Sequence, residues 1–238
     1  MLISKLEEVV ILLELNNVKK VYFINNDNRV TALKNININF ETNKFYGVFG
    51  HSGSGKSTLI QILGLLDDYD EGVYKIDNVD VGKLSEDEKN QMRMNKFGFV
   101  FQAFYLNPKI SALENVMLPM IINDKIEKNQ RKEIAQNLLK RFGLSNKYDS
   151  KVSQLSGGEQ QRVAIARALE NNPDIIIADE PSGNLDKTNE KQVFDIFKDL
   201  VEKDKKTIIV VSHNEILKEY ADKLYEMVDG KIVGEFKK

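Results

Sequence analysis

The sequence predicts an α/β fold built on a parallel sheet. Residues 175–178 and 207–211 are short apolar runs rich in β-branched side chains, which is typical of parallel strands covered on both faces. Residues 45–49 form a third apolar run, which ends at a glycine-rich loop and is followed by a helical pattern at 57–66. Strands that alternate with helices along a chain build a parallel sheet flanked by helices.

The other elements follow from periodicity and turn residues. Runs of alternating or β-branched residues predict further strands at 10–15, 18–23, 35–40 and 99–101. Polar residues 25–28 indicate a turn, and Asp229-Gly230 indicates a hairpin turn near the end of the chain. Apolar residues at helical spacing predict helices at 127–142 and 160–170. We expect residues from about 103 to 160 to form a helical insertion in the α/β core.

Composition narrows the classes of protein to consider. The 238 residues carry a formal net charge of −2, so no basic field argues for a nucleic-acid partner. The chain has no cysteine, which excludes disulfides, thiolate metal sites and a cysteine nucleophile. No apolar run approaches the roughly 20 residues that span a bilayer, and we expect no secretory signal. Residues 1–10 leave two alternatives open, a short amphipathic helix and a loose leader before the first strand.

A phosphate-binding loop is predicted at residues 50–57, Gly-His-Ser-Gly-Ser-Gly-Lys-Ser, which fits G-x-x-x-x-G-K-S between a strand and a helix. Glycines let the backbone curl so that several N–H groups point at phosphate oxygens, and the following helix adds its positive N-terminal end. Lys56 is expected to reach the β- and γ-phosphates, and the Ser57 hydroxyl to ligate Mg²⁺. The predicted nucleotide contacts in this segment are Gly50, His51, Ser52, Gly53, Ser54, Gly55, Lys56, Ser57 and Thr58. For His51, a catalytic role and a solvent-facing loop position are both open.

Two carboxylates follow the apolar run at 175–178. Asp179 is expected to hold Mg²⁺ opposite Ser57, and Glu180 to accept a proton from an attacking water or to orient that water. Neighbouring strand residues point in opposite directions, which suits two different roles. A solvated acidic turn before Pro181 is the alternative. The phosphate loop earlier in the chain favours the catalytic interpretation.

A serine-glycine-glycine turn lies in residues 155–162, Leu-Ser-Gly-Gly-Glu-Gln-Gln-Arg, and opens into the helix predicted at 160–170. Ser156 offers a hydroxyl, Gly157 and Gly158 offer unobstructed N–H groups, and the helix adds its dipole, so the turn is an anion-binding corner. Together with the phosphate loop, this stretch resembles the ATP-binding cassette (ABC) ATPases over nearly the whole chain.

The resemblance implies a single ATPase domain over residues 1–238. It implies an α/β fold with a P-loop NTPase parallel-sheet core, an N-terminal antiparallel β subdomain and an α-helical insertion. The core would comprise about residues 1–102 and 161–238, and the helical subdomain about 103–160. The reaction implied is the hydrolysis of ATP to ADP and phosphate, with Mg²⁺.

The resemblance also implies roles for residues outside the two glycine-rich motifs. Gln102 looks like the family's glutamine that senses Mg²⁺ and the γ-phosphate, and His213 looks like its switch histidine. Asp186, in the loop 182–186, resembles the main contact residue across a dimer interface. Tyr22 resembles the aromatic residue that stacks on adenine, with core packing as the alternative. The implied catalytic residues are Glu180, His213 and Gln102, and the implied metal ligands are Ser57, Gln102 and Asp179.

In the family, the serine-glycine turn contacts the γ-phosphate of a nucleotide held by the opposing subunit. The resemblance therefore implies that two chains, identical or homologous, sandwich two ATP molecules head to tail. Ser156, Gly157, Gly158 and Glu159 would then contact the opposing nucleotide, and a monomer would not hydrolyse ATP. The family most often has glutamine in place of Glu159. We expect folding and dimerisation to survive this change, while a slight weakening of nucleotide binding stays open.

Residues 98–119 and 178–186 resemble the branch that includes macrolide exporters, lipoprotein-release systems and antimicrobial-peptide resistance pumps. This implies a peripheral subunit on the cytoplasmic face of a bacterial membrane that powers a separate permease. The work would be export of, or mechanical action on, a peptide, antibiotic or lipid-like substrate. Ala103, Tyr105 and Asn107 depart from the residues expected most often in the branch, which leaves the substrate open.

The helical insertion is the expected docking site for the permease. Phe104 and Tyr105 either line a groove for a permease helix or pack within the insertion. The alternative function is that of an ABC ATPase that moves no solute, such as an iron–sulfur assembly or cell-division signalling subunit. A kinase would leave the glycine pair and His213 unexplained.

Overall fold

The structure is a computed structural model that describes residues 10–23 and 29–238. In chain order, the strands of this part are β1 (Ile11–Phe23), β2 (Arg29–Glu41), β3 (Phe45–Phe49), β4 (Glu71–Ile76), β5 (Val79–Asp80), β6 (Phe97–Phe101), β7 (Ile175–Asp179), β8 (Thr207–Ser212), β9 (Lys223–Val228) and β10 (Lys231–Lys237). The α-helices are α1 (Lys56–Leu63), α2 (Glu86–Lys96), α3 (Ala112–Met117), α4 (Lys128–Arg141), α5 (Gly157–Ala168), α6 (Lys187–Glu202) and α7 (Leu217–Tyr220). The turn predicted at 25–28 and the alternatives for the first nine residues lie outside the described residues.

The N-terminal sheet is antiparallel, with the strand order β2-β1-β4-β5. The prediction of two strands at 10–15 and 18–23 is wrong, because β1 runs through both. Its pairing with β2 shifts register between Leu15 and Val18, and Asn17 has a φ of 53°, a left-handed conformation that asparagine tolerates better than most residues. This irregularity absorbs the polar pair Asn16-Asn17, so the strand bends without ending.

The central sheet has the order β10-β9-β3-β8-β7-β6. Strands β9, β3, β8, β7 and β6 are parallel, and β10 returns antiparallel to β9. The predicted hairpin turn between β9 and β10 is confirmed. Asp229 and Gly230 both have positive φ values, 46° and 79°, as a tight turn matched to the strand twist requires.

The central sheet is covered on both faces, as its β-branched strands predict. Ile176 and Ala178 of β7 face a core shared with α3, α4, α5 and α6. Ile175 and Ile177 face a second core shared with α1 and the antiparallel sheet. The predicted α/β architecture with an antiparallel N-terminal sheet and a helical insertion is therefore confirmed.

Several helix boundaries differ from the sequence prediction. Helix α5 begins at Gly157 instead of residue 160, because Ser156 caps it and both glycines take helical positions. Helix α1 ends at Gly64, where a Cβ would lie 2.4 Å from the Phe99 ring. Helix α6 was not predicted, although Asp186 caps it and its apolar side chains fill one core. Within the described part of the chain, no helix is both long and apolar enough to cross a bilayer.

Candidate functional site

The carboxyl ends of four adjacent parallel strands meet at one edge of the central sheet. The order β3-β8-β7-β6 brings together Gly50, His213, Asp179 with Glu180, and Gln102, each at or just after its strand end. Crevices at this edge of a parallel sheet are where such folds bind ligands. A cleft of about 840 Å³ opens here. Its walls include the predicted site residues Tyr22, Ser52, Gly53, Gly55, Lys56, Ser57, Thr58, Gln102, Glu180 and His213.

The loop between β3 and α1 is curled around the Lys56 ammonium group. Gly53 and Gly55 have φ values of 78° and 103°, a region that favours glycine. Lys56 Nζ donates to the carbonyl oxygens of Gly50 at 2.9 Å and His51 at 3.0 Å. A Cβ at Gly50 would lie 2.1 Å from the Met227 carbonyl oxygen, so the approach of β9 requires a glycine there. The loop has the shape that a bound phosphate needs, with a cation at its centre.

His51 and Ser54 of the same loop differ in their exposure and contacts. His51 is exposed, its Nδ1 lies 2.8 Å from the Ser52 carbonyl oxygen, and its Nε2 lies 3.7 Å from Asp229 Oδ1. Ser54 is fully buried, and its hydroxyl oxygen has no hydrogen-bond partner among the described residues. The His51 ring therefore lies on the solvent side of the loop, toward the β9–β10 turn.

Ser57 lines the cleft, and Asp179 lines an adjoining pocket of about 740 Å³ that Ser57 also lines. Burial raises the pKa of the Asp179 carboxyl above its ordinary value, although the nearby Ser57 hydroxyl and the charge of Lys56 act in the opposite direction. The partly buried carboxylate is thus placed where an added cation would stabilise its ionised form.

Glu180 is held rigidly against the end of β8. Its Oε2 accepts a hydrogen bond from the Ser212 hydroxyl at 2.7 Å, and its Oε1 accepts one from the His213 backbone N–H at 3.0 Å. His213 Nδ1 lies 2.9 Å from the same Oε1, while the His213 side chain is 72% exposed. The Glu180 backbone has a φ of 45°, and its N–H donates to the Val211 carbonyl. A strained backbone fixed by its neighbours is common at functional sites.

Gln102 is tied to the loop that follows β7. Asn184 Nδ2 donates to the Gln102 carbonyl oxygen at 3.1 Å, and Gln102 Nε2 lies 3.4 Å from Asn184 Oδ1. A Cβ at Gly183 would lie 2.7 Å from Gln102 Nε2. The Gln102 side chain therefore packs on the segment between the acidic strand end and Asp186.

Tyr22 forms the outer wall of the cleft. Its hydroxyl donates to Asp67 Oδ2 at 2.7 Å, and Lys20 Nζ lies 5.0 Å from its ring centre. Burial, followed by the hydrogen bond to Asp67, raises the pKa of the Tyr22 hydroxyl. The ring is partly exposed and lines the cleft instead of packing in the core.

The turn before α5 lies apart from this cleft. Ser156, Gly157, Gly158, Glu159 and Asp186 are not among the cleft-lining residues. Ser156 Oγ accepts a hydrogen bond from the Glu159 backbone N–H at 3.3 Å, and Glu159 Oε2 accepts one from the Ser156 backbone N–H at 2.8 Å. This reciprocal cap fixes the start of the helix. Ser156 and Gly157 are exposed, while Gly158 is buried.

The Glu159 carboxylate contacts Ser156 and Lys147 of its own chain. Besides the cap, its Oε1 lies 3.2 Å from Lys147 Nζ. The hydrogen bond from the Ser156 backbone, with that of Lys147, lowers the pKa of the Glu159 carboxyl despite partial burial. A glutamine could make the same capping hydrogen bond, so the structure gives this acid a local role in the helix start.

Asp186 caps the neighbouring helix. Its Oδ1 accepts a hydrogen bond from the Asn189 backbone N–H at 2.9 Å, and its Oδ2 accepts one from Asn189 Nδ2 at 2.7 Å. Both hydrogen bonds lower the pKa of Asp186. The side chain is exposed. It lies near the turn before α5, because Leu185 approaches Gly157 and Asn189 approaches Gly158.

The two glycines of the turn are expected to differ in their effect on stability. A Cβ at Gly158 would lie 2.0 Å from Asn189 Oδ1 and would displace the side chain that binds Asp186, whereas a Cβ at Gly157 would meet only Leu185 at 3.7 Å. Gly158→Ala should lower the free energy of unfolding by about 1–3 kcal/mol, and the matched control Gly157→Ala should change it little. Urea unfolding of both variants tests this, and equal stabilities would contradict the packing described.

Several residues that line the cleft carry no sequence signal for a place in the site, although Asp229 and Gly230 were predicted as a turn. They come from β2 and from the β9–β10 turn, and they are Val30, Thr31, Ala32, Lys34, Asp229 and Gly230. They reach the cleft through the packing of the two sheets, which no local pattern encodes. Ser212, which binds Glu180, was also missed, although a hydroxyl at the end of an apolar strand is a detectable signal.

A second groove, of about 590 Å³, lies between β6 and the segment after α3. Apolar side chains line most of it, and these are Met94, Phe97, Phe99, Phe101, Leu118, Pro119 and Ile122. The charged side chains that line it are Arg93, Arg167 and Glu170. Tyr105 is 68% exposed and lines a different pocket, beside Phe101 and Asp179, while Phe104 is partly buried. These two aromatic residues therefore do not line this groove.

Glu170 is expected to make the free chain less stable as the pH rises. Burial raises the pKa of its carboxyl to about 8, although its own backbone N–H and the charge of Arg167 act in the opposite direction. From about pH 5 to 8, the folded chain therefore holds a proton that the unfolded chain has lost, and the free energy of unfolding falls. Glu170→Gln removes this dependence, so its melting temperature should rise relative to wild type by roughly 10 °C across that range. A constant difference in melting temperature would contradict the buried protonated state.

Comparisons with known proteins agree with this geometry. Residues 33–183 match the family model described as ABC transporter. The chain is 42% identical over 229 residues to the ABC transporter ATP-binding protein MJ0796 of Methanocaldococcus jannaschii, covering 95% of this chain and 97% of that protein. It is 45% identical over 224 residues to the lipoprotein-releasing system ATP-binding protein LolD of Aquifex aeolicus, covering 94% of this chain and 97% of that protein.

Longer relatives and a solved structure extend the comparison. The macrolide export ATP-binding/permease protein MacB of Mannheimia succiniciproducens is 43% identical over 217 residues, and the chain covers 33% of its length. The dimeric structure of MJ0796 in a post-hydrolysis state, bound to ADP and Pi, matches with a TM-score of 0.87 at 41% identity, covering 95% of this chain and 98% of that one. With its phosphate loop and acidic strand end at one cleft, the chain belongs to the ABC transporter family, as an ATP-binding subunit that hydrolyses ATP.

Proposed function

We propose that two copies of this subunit close head to tail on two ATP molecules and thereby drive a separate membrane permease. The observation that carries the proposal is the separation of two half-sites within one chain. The cleft at the strand ends contains Lys56, Glu180 and His213, whereas residues 156–159 lie outside it. A second copy turned head to tail would bring its exposed Ser156 and Gly157 to the open side of this cleft. The solved dimer of MJ0796 supports such a pair.

Within each site, the cleft side would hold and cleave the nucleotide. Lys56 would exchange its loop carbonyls for the β- and γ-phosphates, and Tyr22, braced by Asp67, would stack on the adenine. Water would attack the γ-phosphorus as the bond to the β–γ bridging oxygen breaks, giving ADP and phosphate. Glu180 would accept the proton of this water. His213 would position Glu180 through the contact at Oε1, and Gln102 would contact the γ-phosphate side of the cleft.

The opposing copy would complete the site with the start of α5. The Ser156 oxygen already accepts a hydrogen bond from the Glu159 backbone, so its hydroxyl hydrogen is free to donate to the γ-phosphate. Gly157 is the first residue of α5, and its N–H belongs to the group that a helix cannot satisfy internally. Asp186, near the same turn, would contact the other copy.

Mg²⁺ fits the oxygen donors of Ser57 and Asp179. These two side chains line the same pocket, and the nucleotide would supply phosphate oxygens beside them. Mg²⁺ prefers oxygen ligands and commonly takes few from the protein. Among the described residues, no group of three or more histidine and acidic side chains is placed to hold a metal ion alone. Ser57 and Asp179, with Gln102, would hold the ion, which would neutralise phosphate charge.

The transported substrate is proposed from the relatives. LolD of Aquifex aeolicus is named for lipoprotein release and MacB for macrolide export. We propose export of, or mechanical action on, a peptide, antibiotic or lipid-like substrate, with the subunit at the cytoplasmic face of a bacterial membrane. The matched family and the relatives named above are transport proteins, which favours transport over iron–sulfur assembly or cell-division signalling.

The permease would dock on the groove beside β6. We propose residues 1–102 and 161–238 as the nucleotide-binding core and 103–160 as the helical subdomain, with the groove between them. Ile122 lines the groove and is 76% exposed, so Ile122→Asp should block docking without unfolding the chain. Val233 on β10 is exposed and distant in the sheet, so Val233→Asp is the control. Tagged wild type and Val233→Asp should capture a permease from detergent-solubilised membranes, and Ile122→Asp should not.

Hydrolysis should depend on protein concentration if the site is composite. At chain concentrations below the dissociation constant of the dimer, the fraction of chains in dimers rises in proportion to concentration. The hydrolysis rate per chain should therefore rise in the same proportion. The rate is measured at saturating ATP over a dilution series, with light scattering to follow the mass. A constant rate per chain in samples that scatter as monomers would exclude the composite site.

A further inference from the structure

We infer that the groove beside β6 takes a helix of the membrane partner that carries one lysine or arginine on its apolar face, and that this side chain pairs with Glu170. The inference rests on the proposed function, since it takes the permease as the occupant. It adds a charge requirement to an otherwise apolar docking site, and so a reason why one permease would be accepted and another rejected.

Glu170 lines the groove and, within the described part of the chain, has one carboxylate oxygen without a hydrogen-bond partner. It is 7% exposed, its Oε2 is buried, and that oxygen has no hydrogen-bond partner among the described residues. Removing a carboxylate from water is costly unless an opposite charge or hydrogen bonds replace the water. Burial raises the pKa of this carboxyl to about 8, so the free chain keeps it largely neutral near pH 7.

The two arginines of the groove are engaged elsewhere. Arg93 Nε donates to the Leu65 carbonyl oxygen at 2.8 Å, and its Nη1 donates to Asn90 Oδ1 at 2.7 Å. Arg167 donates to the carbonyl oxygens of Phe104, at 2.7 Å, and Tyr105. The charge of Arg167 acts on Glu170, but no basic side chain of the described residues forms a salt bridge with it. A cation that pairs with Glu170 directly would therefore come from outside the described part of this chain.

The walls of the groove suit an amphipathic helix. Leu118 and Ile122 are 42% and 76% exposed, and Phe99 and Phe101 of β6 face them across the groove. A helix laid between these walls would bury their apolar surface. Its central basic side chain would reach Glu170, which lies just beyond the end of α5. The ATP chemistry uses the opposite end of this helix, so Glu170 has no role in the nucleotide site.

The inference is tested with two stapled amphipathic peptides that differ at one central residue of the apolar face. One carries lysine and the other carries norleucine, which has a similar length and no charge. Stapling limits the entropy lost on binding. Wild type should bind the lysine peptide about tenfold more tightly than the norleucine peptide. Calorimetry at pH 7 in two buffers of different ionisation enthalpy should show a proton released only with the lysine peptide, because pairing with the cation ionises Glu170.

Variants separate the possible outcomes. Glu170→Gln and Glu170→Met should bind both peptides equally, release no proton and keep the wild-type ATPase rate. Equal binding of the two peptides by wild type would overturn the basic contact while leaving groove docking intact. Failure of both peptides to bind, or binding that Ile122→Asp does not weaken, would overturn groove docking as well. Nucleotide-free self-association that Ile122→Asp abolishes would identify a second copy as the occupant and would also overturn the inference.

Discussion

A Glu180→Gln chain is expected to bind ATP and dimerise but to hydrolyse ATP about a hundredfold more slowly than wild type, or slower still. Glutamine keeps the length of the side chain, and its oxygen can still accept the hydrogen bond from the His213 backbone N–H. The Ser212 hydroxyl can rotate to accept from the new amide. The fold and the closed dimer should therefore persist. The amide cannot take a proton from water, so the chemical step should be lost.

Two measurements are needed for this variant. Steady-state phosphate release gives the rate, and light scattering with ATP gives the mass of the trapped species. Lys56→Ala is the control for nucleotide binding, because without the ammonium group it should bind ATP weakly and hydrolyse little. Wild-type turnover in Glu180→Gln would show that Glu180 is not the base, and loss of the dimer would show that its carboxylate serves closure instead.

The central strands and the nucleotide loop could be predicted because their signals are local. Residues 45–49 form a strand as predicted, and a run of apolar residues that ends in glycines encodes both the strand and its exit. The start of α5 was misplaced by three residues, because the glycine pair reads as a turn in sequence. The Ser156 cap makes those glycines the first helical residues instead. Helix propensity is a weak guide where a cap decides the boundary.

The sequence could predict which strand ends form the site, but not the hydrogen bonds and the burial that fix its side chains. Parallel strand order places Gln102, Glu180 and His213 side by side, and this follows from the fold class. The contacts that fix them do not follow. The position of Ser212 at a strand end is detectable, but its hydrogen bond to Glu180 and that of Asn184 to Gln102 depend on how the strand ends and loops pack. Glu170 was missed for the same reason, because its burial depends on the packing of β6 against the segment after α3.

Two variants that are inactive alone are expected to restore hydrolysis when they are mixed. Lys56→Ala removes the ammonium group from the phosphate loop. Gly157→Asp adds a carboxylate at the first turn of α5, where the helix dipole favours it but where it would repel the γ-phosphate of the opposing copy. In a mixed dimer, one site receives both changes and the other receives neither. Random pairing makes half of the dimers mixed, so the rate should reach at most about a quarter of the wild-type rate.

When both changes lie on one chain, the mixed dimers are expected to be inactive instead of half active. A Lys56→Ala, Gly157→Asp double variant paired with wild type spoils each site once, so no mixed dimer retains an intact site. An equal mixture should therefore also fall to about a quarter of the rate of the same total amount of wild type, because only the wild-type dimers remain active. If each chain carried a complete site, the single variants would not rescue each other, and the double variant would merely dilute wild type to about half.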